Sequence, residues 1–356
     1  EQPVWVNGKL YQKDEMCLTI ITDENGLAST EEKALPVGHY RIEETQAPTG
    51  YLKDGAKTLE FEITKDGEMV DLTSKDTSIA NQVIRGGVKV QKRDIETGET
   101  KPQGNATLEG ATFTITNLST HPVLVNEKLY ESGQVVLTLK TDKSGAAATA
   151  KDALPYGHYR IDETEAPDGY LNEGKLSQEF DIQENGKIID LTSKEHAILN
   201  QIIRGDLEFV KVSDGDLNRL ANVPFSITSK TTGESHTIVT DKNGYASTSA
   251  EWNKHTANTN RGETSEDGIW FGTSKPDDSK GALIYDTYIL EEQRCETNEG
   301  MNLLKIEVEV YRNHVVIDMG TLTDDRITIG TTALDKDTES HLSKPEEKIT
   351  IIDTVE

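Results

Sequence analysis

Residues 38–52 read GHYRIEETQAPTGYL, and residues 157–171 read GHYRIDETEAPDGYL. The same separation relates PVWVNGKLY (3–11) to PVLVNEKLY (122–130) and DLTSKDTSIANQVIRG (71–86) to DLTSKEHAILNQIIRG (190–205). A gapless offset of 119 positions, held over more than 80 residues, marks a duplicated structural unit. Whatever one copy folds into, its neighbour must fold into as well.

A third, more divergent copy follows. DLEFVKVSDGD (206–216) parallels GVKVQKRDIET (87–97), TDKNGYAST (240–248) parallels TDENGLAST (22–30), and YILEEQ (288–293) parallels YRIEET (40–45). From turn glycine to glutamate the first two copies use 18 residues (26 to 44, 145 to 163), whereas the third uses 48 (244 to 292). The third copy therefore carries an insertion of 30 residues near 251–282, polar but holding Trp252 and Trp270.

Within the copies, short runs such as LTLKT, RITIG and IEVEVY are separated by Gly, Asn, Asp and Pro, with no extended helical period. That is an all-β pattern. At 356 residues, 34% hydrophobic and 6% aromatic, the chain suits several small cores in tandem, not one large one. The repeat divides it into 1–85, 86–204, 205–327 and 328–356, the last being the first strands of a fourth unit, with both ends falling inside repeats.

The 37 Lys and Arg against 63 Asp and Glu give a net charge of −26. Nucleic acid is excluded as a partner, because neutralising phosphates takes clustered cations. Anionic membrane surfaces are disfavoured for the same reason, and no transmembrane run or signal peptide is visible, so no membrane insertion is expected. Such acidity keeps an exposed rod soluble. Two cysteines are too few to staple an exported protein. Cys17 aligns with Val136 on a strand and is expected to be buried; Cys295 follows the glutamate strand and is read as structural.

The tetrapeptides Asp23–Gly26, Asp142–Gly145 and Asp241–Gly244 sit between alternating runs. They read as hairpin turns, with Gly supplying positive φ; one aspartate per turn is far short of a calcium loop. The eight histidines show no ligand spacing, and His39 and His158 recur without Asp or Cys partners. No metal or cofactor is expected, and no Ser–His–Asp or phosphate-loop pattern stands out.

Three polar positions recur within otherwise apolar strand patterns. A lysine lies on the opening strand (Lys92, Lys211), a glutamate four residues after a tyrosine (Glu44, Glu163, Glu292), and an asparagine on the closing strand (Asn81, Asn200). Strand alternation turns one side chain in two inward, so these are candidates for a buried polar trio.

The motif Y-x-I-x-E-T-x-A-P-x-G-Y (40–51, 159–170) resembles the E-box of SpaA-type pilin and collagen-adhesin B-type domains, and V-x-V-x-K-x-D (88–94) and I-x-N (198–200) match the lysine and asparagine positions of those families. The third copy, with LEEQRCETNEG, GTLTDD and TIGTTALD, is similar to surface proteins with VaFE repeats. The resemblance implies prealbumin-like (inverse immunoglobulin-like) β-sandwiches on a Gram-positive cell surface. It further implies that Lys92 attacks Asn200, with Glu163 as catalyst, releasing ammonia and leaving an isopeptide bond. Burial would push the lysine toward its neutral, nucleophilic form and the glutamate toward its neutral acid. An unreacted, hydrogen-bonded buried network is the plainer alternative.

The third copy departs from this pattern, with Lys211 and Glu292 present but Asp324 and Asp325 in the closing segment. Asp324 is the favoured acceptor, with release of water; an unreacted ion pair is the alternative. In the first copy the lysine's counterpart would precede residue 1, leaving Glu44 and Asn81 without a nucleophile. That unit is expected to be incomplete and able to accept a strand. The overall expectation is a stalk whose partners are neighbouring domains of the same protein, without enzymatic turnover. The alternative is an adhesive module contacting a host or matrix ligand through Trp252 and Trp270.

Overall fold

The computed structural model describes residues 3–257, 264–324, 331–335 and 351–355. The second copy explains the others. Its opening strand, Arg85–Asp94, alternates apolar inward residues, Val88 and Val90, and continues the same inward face with Lys92 and Asp94. The glutamate strand, Gly157–Glu165, turns Tyr159, Ile161 and Glu163 inward, and the closing strand, Ile198–Ile202, does so with Ile198, Asn200 and Ile202. Period-two alternation thus carries one polar residue from each strand onto an apolar face.

Two sheets face each other across this core. One runs Val135–Lys140, Thr112–Asn117, Gly157–Glu165, Ser177–Ile182, all antiparallel. In the other, the opening strand pairs with Ala146–Ala148 on one side and with Ile198–Ile202 on the other, the latter in parallel. Phe113, Ile115, Tyr159, Ile161, Val88, Val90 and Ile198 fill the space between. Tyr159 stacks on Phe180 with ring centroids 5.7 Å apart, and its hydroxyl donates to the Pro155 carbonyl at 2.8 Å. The equivalent tyrosines repeat the anchor, Tyr40 to Pro36 at 2.8 Å and Tyr288 to Ile284 at 2.9 Å. Each therefore pins its strand four residues ahead of the glutamate.

The third copy has the same plan. Ser235–Val239, Pro224–Ser229, Asp286–Glu292 and Lys305–Val310 form one sheet; Arg204–Ser213 pairs with Tyr245–Ser247 and, in parallel, with Val316–Asp324 in the other. The turn glycines Gly26, Gly145 and Gly244 all have φ near +70° (73°, 75°, 68°). Residues 331–335 and 351–355 pair antiparallel.

The first copy retains the antiparallel pairs Gly38–Ile42 with Leu59–Ile63 and Tyr51–Leu52 with Gln82–Val83. In copy two, Val135–Lys140 is held by Thr112–Asn117. The repeat-related residues 16–21 form no strand, and Ile21 and Met16 are exposed. This corrects the expectation for Cys17: it is half-buried, whereas its counterpart Val136 lies in the core. Cys295, also half-buried, precedes a short 3₁₀ turn, Glu296–Asn298.

Candidate cross-linking sites

In copy two the parallel register sets Lys92 opposite Ile198 and Asn200 opposite Asp94, so the two side chains lie two residues apart on one face. Glu163 reaches both from the facing sheet. Lys92 Nζ stands 2.9 Å from each Glu163 carboxylate oxygen, and Asn200 Nδ2 donates to Glu163 Oε2 at 2.7 Å and to the Leu171 carbonyl at 2.8 Å. The side chains of Lys92 and Glu163 are fully enclosed, as is Asn200.

Burial dominates the electrostatics. Desolvation lowers the Lys92 ammonium to about 8, against the opposing pull of Glu163. It raises the Glu163 carboxyl, again against its cation partner and the two hydrogen bonds it accepts. At pH 7 a lysine with a pKa of about 8 is neutral roughly a tenth of the time, compared with well under a thousandth at the ordinary value. The site therefore encloses an amine, a carboxyl and a carboxamide, with the carboxyl touching both of the others.

The third copy repeats the arrangement with an aspartate in the place of the asparagine. Lys211 lies opposite Leu322, and Asp324 opposite Ser213. Lys211 Nζ is 2.6 Å from Asp324 Oδ1 and 3.9 Å from Glu292 Oε2, all three side chains buried. Burial, reinforced by the contact with Asp324, raises the Glu292 carboxyl to about 7. Asp325 lies outside the described residues. One participant was missed in the sequence: Asn298, fully buried, donates to Glu292 Oε1 at 2.9 Å and to the Gln293 carbonyl at 2.9 Å. It supplies the amide donor that Asn200 supplies to Glu163, and the signal was its place in RCETNEG, where the other copies read A-P-x-G.

In copy one, Asn81 Nδ2 donates to Glu44 Oε2 at 2.5 Å and to the Leu52 carbonyl at 3.0 Å. The acid–amide half of the site thus assembles here, and among the described residues no lysine pairs with Glu44.

The two tryptophans of the insertion differ in exposure. Trp270 is 1% exposed, its indole N–H donates to the Ser274 carbonyl at 2.9 Å, and its ring covers the Arg204 guanidinium at 3.7 Å. Trp252 is half-buried, edge-on to Tyr245 at 5.7 Å. Residues 258–263 of the insertion lie outside the described residues. Arg204 in turn makes a bidentate pair with Glu96 of copy two, Nη2 to Oε2 at 2.8 Å and Nε to Oε1 at 2.9 Å. Burial alone would raise the Glu96 carboxyl, but the hydrogen bonds and charge of Arg204 override it and hold it at about 2. Among the described residues no cluster of His, Cys, Asp and Glu fits a metal ion, and no helix is long and apolar enough to cross a membrane.

These tandem sandwiches define a class, the prealbumin-like all-β domains. The family described as SpaA, prealbumin-like fold domain, matches residues 6–78 and again 86–196, just over half of the chain. The chain belongs to that family. Among solved structures, the Bacillus anthracis TIE protein is 26% identical over 86% of this chain with a TM-score of 0.52, and the chain spans 45% of its length. The major pilin subunit of Bacillus cereus is 15% identical, covering 88% of this chain and 93% of its own, TM-score 0.33. A C-terminal fragment of the pilus adhesin SpaC from Lactobacillus rhamnosus GG is 15% identical, covering 68% and 99%, TM-score 0.35. No curated protein matches the chain significantly.

Proposed function

We infer that this chain is a structural segment of an extracellular, cell-wall-anchored stalk or pilus-like protein of a Gram-positive bacterium. In this reading copies two and three close their own intramolecular amide bonds. The observation that carries it is Glu163 in contact with both Lys92 and Asn200 in a closed apolar site. A buried lysine is costly unless it is paired or reacts.

In copy two, neutral Lys92 attacks the Asn200 side-chain carbonyl carbon. The new N–C bond forms, the bond to Nδ2 breaks, and Glu163 passes the lysine's proton to the departing nitrogen, so that ammonia leaves. In copy three the Lys211 amine condenses with the Asp324 carboxyl and water leaves, with Glu292 as the acid. Each set of residues is consumed once, which is not enzymatic turnover.

The bonds tie first strand to last. Force entering at Lys92 passes to Asn200, through residues 201–210, and on to Lys211 and Asp324, with the sheets spared. The burial of Trp270 against Arg204 weighs against the insertion as an adhesive loop. Intact mass with peptide mapping tests the reading. A chain retaining the full mass of its sequence, with Lys92 and Asn200 in separate tryptic peptides, would overturn it.

A further inference from the structure

The glutamate of Y-x-I-x-E-T-x-A-P-x-G-Y is used in the cross-linking site, but the A-P-x-G-Y tail is not. In both copies it forms a turn in which the tyrosine N–H donates to the proline carbonyl at 3.1 Å, Tyr51 to Pro48 and Tyr170 to Pro167. The third position is a buried glycine at positive φ, Gly50 at 87° and Gly169 at 85°, as a type II turn requires.

Both glycines face the next copy. A Cβ on Gly50 would meet the Tyr156 ring at 2.9 Å, and one on Gly169 would meet Ala106 Cβ of its own copy at 2.5 Å and the Tyr285 ring at 2.8 Å. The linker isoleucine bridges the same pair of elements each time. Ile84 N–H donates to Gly50 and its carbonyl accepts from Tyr156 N–H, both at 2.8 Å; Ile203 repeats this with Gly169 and Tyr285, both at 2.9 Å. Tyr156 and Tyr285 occupy one position of the unit, just ahead of the glutamate strand. Two junctions thus share one geometry. At the second, the Asn105 N–H also donates to the Tyr285 carbonyl at 2.9 Å, and Tyr170 donates its hydroxyl to Asp94 Oδ2 at 2.9 Å. Asp94 lies directly opposite the acceptor Asn200.

We propose that A-P-x-G-Y is a docking socket for the following repeat of the same chain, with the tyrosine before the next glutamate strand as its key. Glycine is needed there for φ and because any Cβ would displace the incoming ring. The joint is then a standard part that fixes the angle between successive domains. It stands whether or not the amide bonds form.

The test uses the full chain with Cys17→Ser and Cys295→Ser, spin-labelled at Lys143→Cys and Lys305→Cys on copies two and three. Pulsed dipolar spectroscopy reads the distance distribution. A single narrow distribution is expected, shifted and broadened at least twofold by Tyr285→Ala and, as a second variant, by Gly169→Ala. Retained hydrogen-exchange protection of the copy-two core strand around Tyr159 and Ile161 in each variant shows that copy two still folds, and intact mass reads the cross-link separately, so a failure of the joint is distinguished from a failure of the cross-link. A broad distribution in the parent, or one unaffected by both variants, overturns the proposal.

Discussion

Asn200 and Asp324 occupy the same register position, each directly across a parallel pair from the residue two beyond its own lysine, Asp94 and Ser213 respectively. Backbone register thus sets which residue stands beside the lysine. Under the proposed cross-linking, Asn at that position would release ammonia and Asp would release water.

The first prediction concerns Lys92→Met, which keeps the apolar stem and removes the nucleophile. The ammonia loss assigned to Lys92 and Asn200 should vanish. Closing a loop of about 100 residues removes unfolded-state entropy equivalent to about 4–5 kcal/mol, so copy two should melt on the order of 20 °C lower. An equal melting temperature in differential scanning calorimetry would separate the bond from stability.

Glu163→Gln preserves shape and hydrogen-bonding capacity but cannot exchange a proton. Bond formation in freshly synthesised chain, followed by intact mass, should slow by roughly 10²–10⁴-fold while far-UV circular dichroism is retained. Glu163→Ala should also stop the reaction, but with an added stability loss from the cavity, so only the glutamine variant isolates the chemistry.

Copy three should respond to pH in a defined direction. Glu292, raised to about 7 by burial and by Asp324, is the neutral acid below that pH and a carboxylate above it. Water loss between Lys211 and Asp324, timed in newly folded chain, should therefore slow as pH rises through about 7. Asn298→Ala removes a donor that favours the carboxylate and should move the midpoint upward. A profile that stays flat between pH 5 and 9 would remove Glu292 from the reaction.

The sandwich plan and the trios were legible because alternation and a repeat at fixed offset are local signals. Lys92, Glu163 and Asn200 each sit one inward step beyond an apolar neighbour, Val90, Ile161 and Ile198. What stayed hidden depends on contacts between copies. Arg204 repeats as Arg85 in I-R-G, yet only the fold shows that its partner is Glu96, 108 residues earlier. Trp270 covers that same arginine, a contact that the polar character of the insertion does not reveal. Cys17 was misjudged because a strand's burial depends on its sheet neighbour, and residues 16–21 pair with no strand among the described residues.

The last prediction targets the Arg204–Glu96 pair. Glu96 also accepts from Gln201 at 2.6 Å, from Ser274 at 2.8 Å and from Lys280 at 3.2 Å, so one carboxylate of copy two gathers the closing strand and the insertion of copy three around it. Glu96→Gln leaves the Arg204 guanidinium, 1% exposed, without its counter-ion. Removing one partner of a buried pair costs about 3–5 kcal/mol. Because the pair spans the junction, the loss should fall on the coupling between domains. The parent should unfold copies two and three in one cooperative calorimetric transition, and the variant in two. A variant that still melts in a single transition would place the coupling in the glycine–tyrosine joint alone.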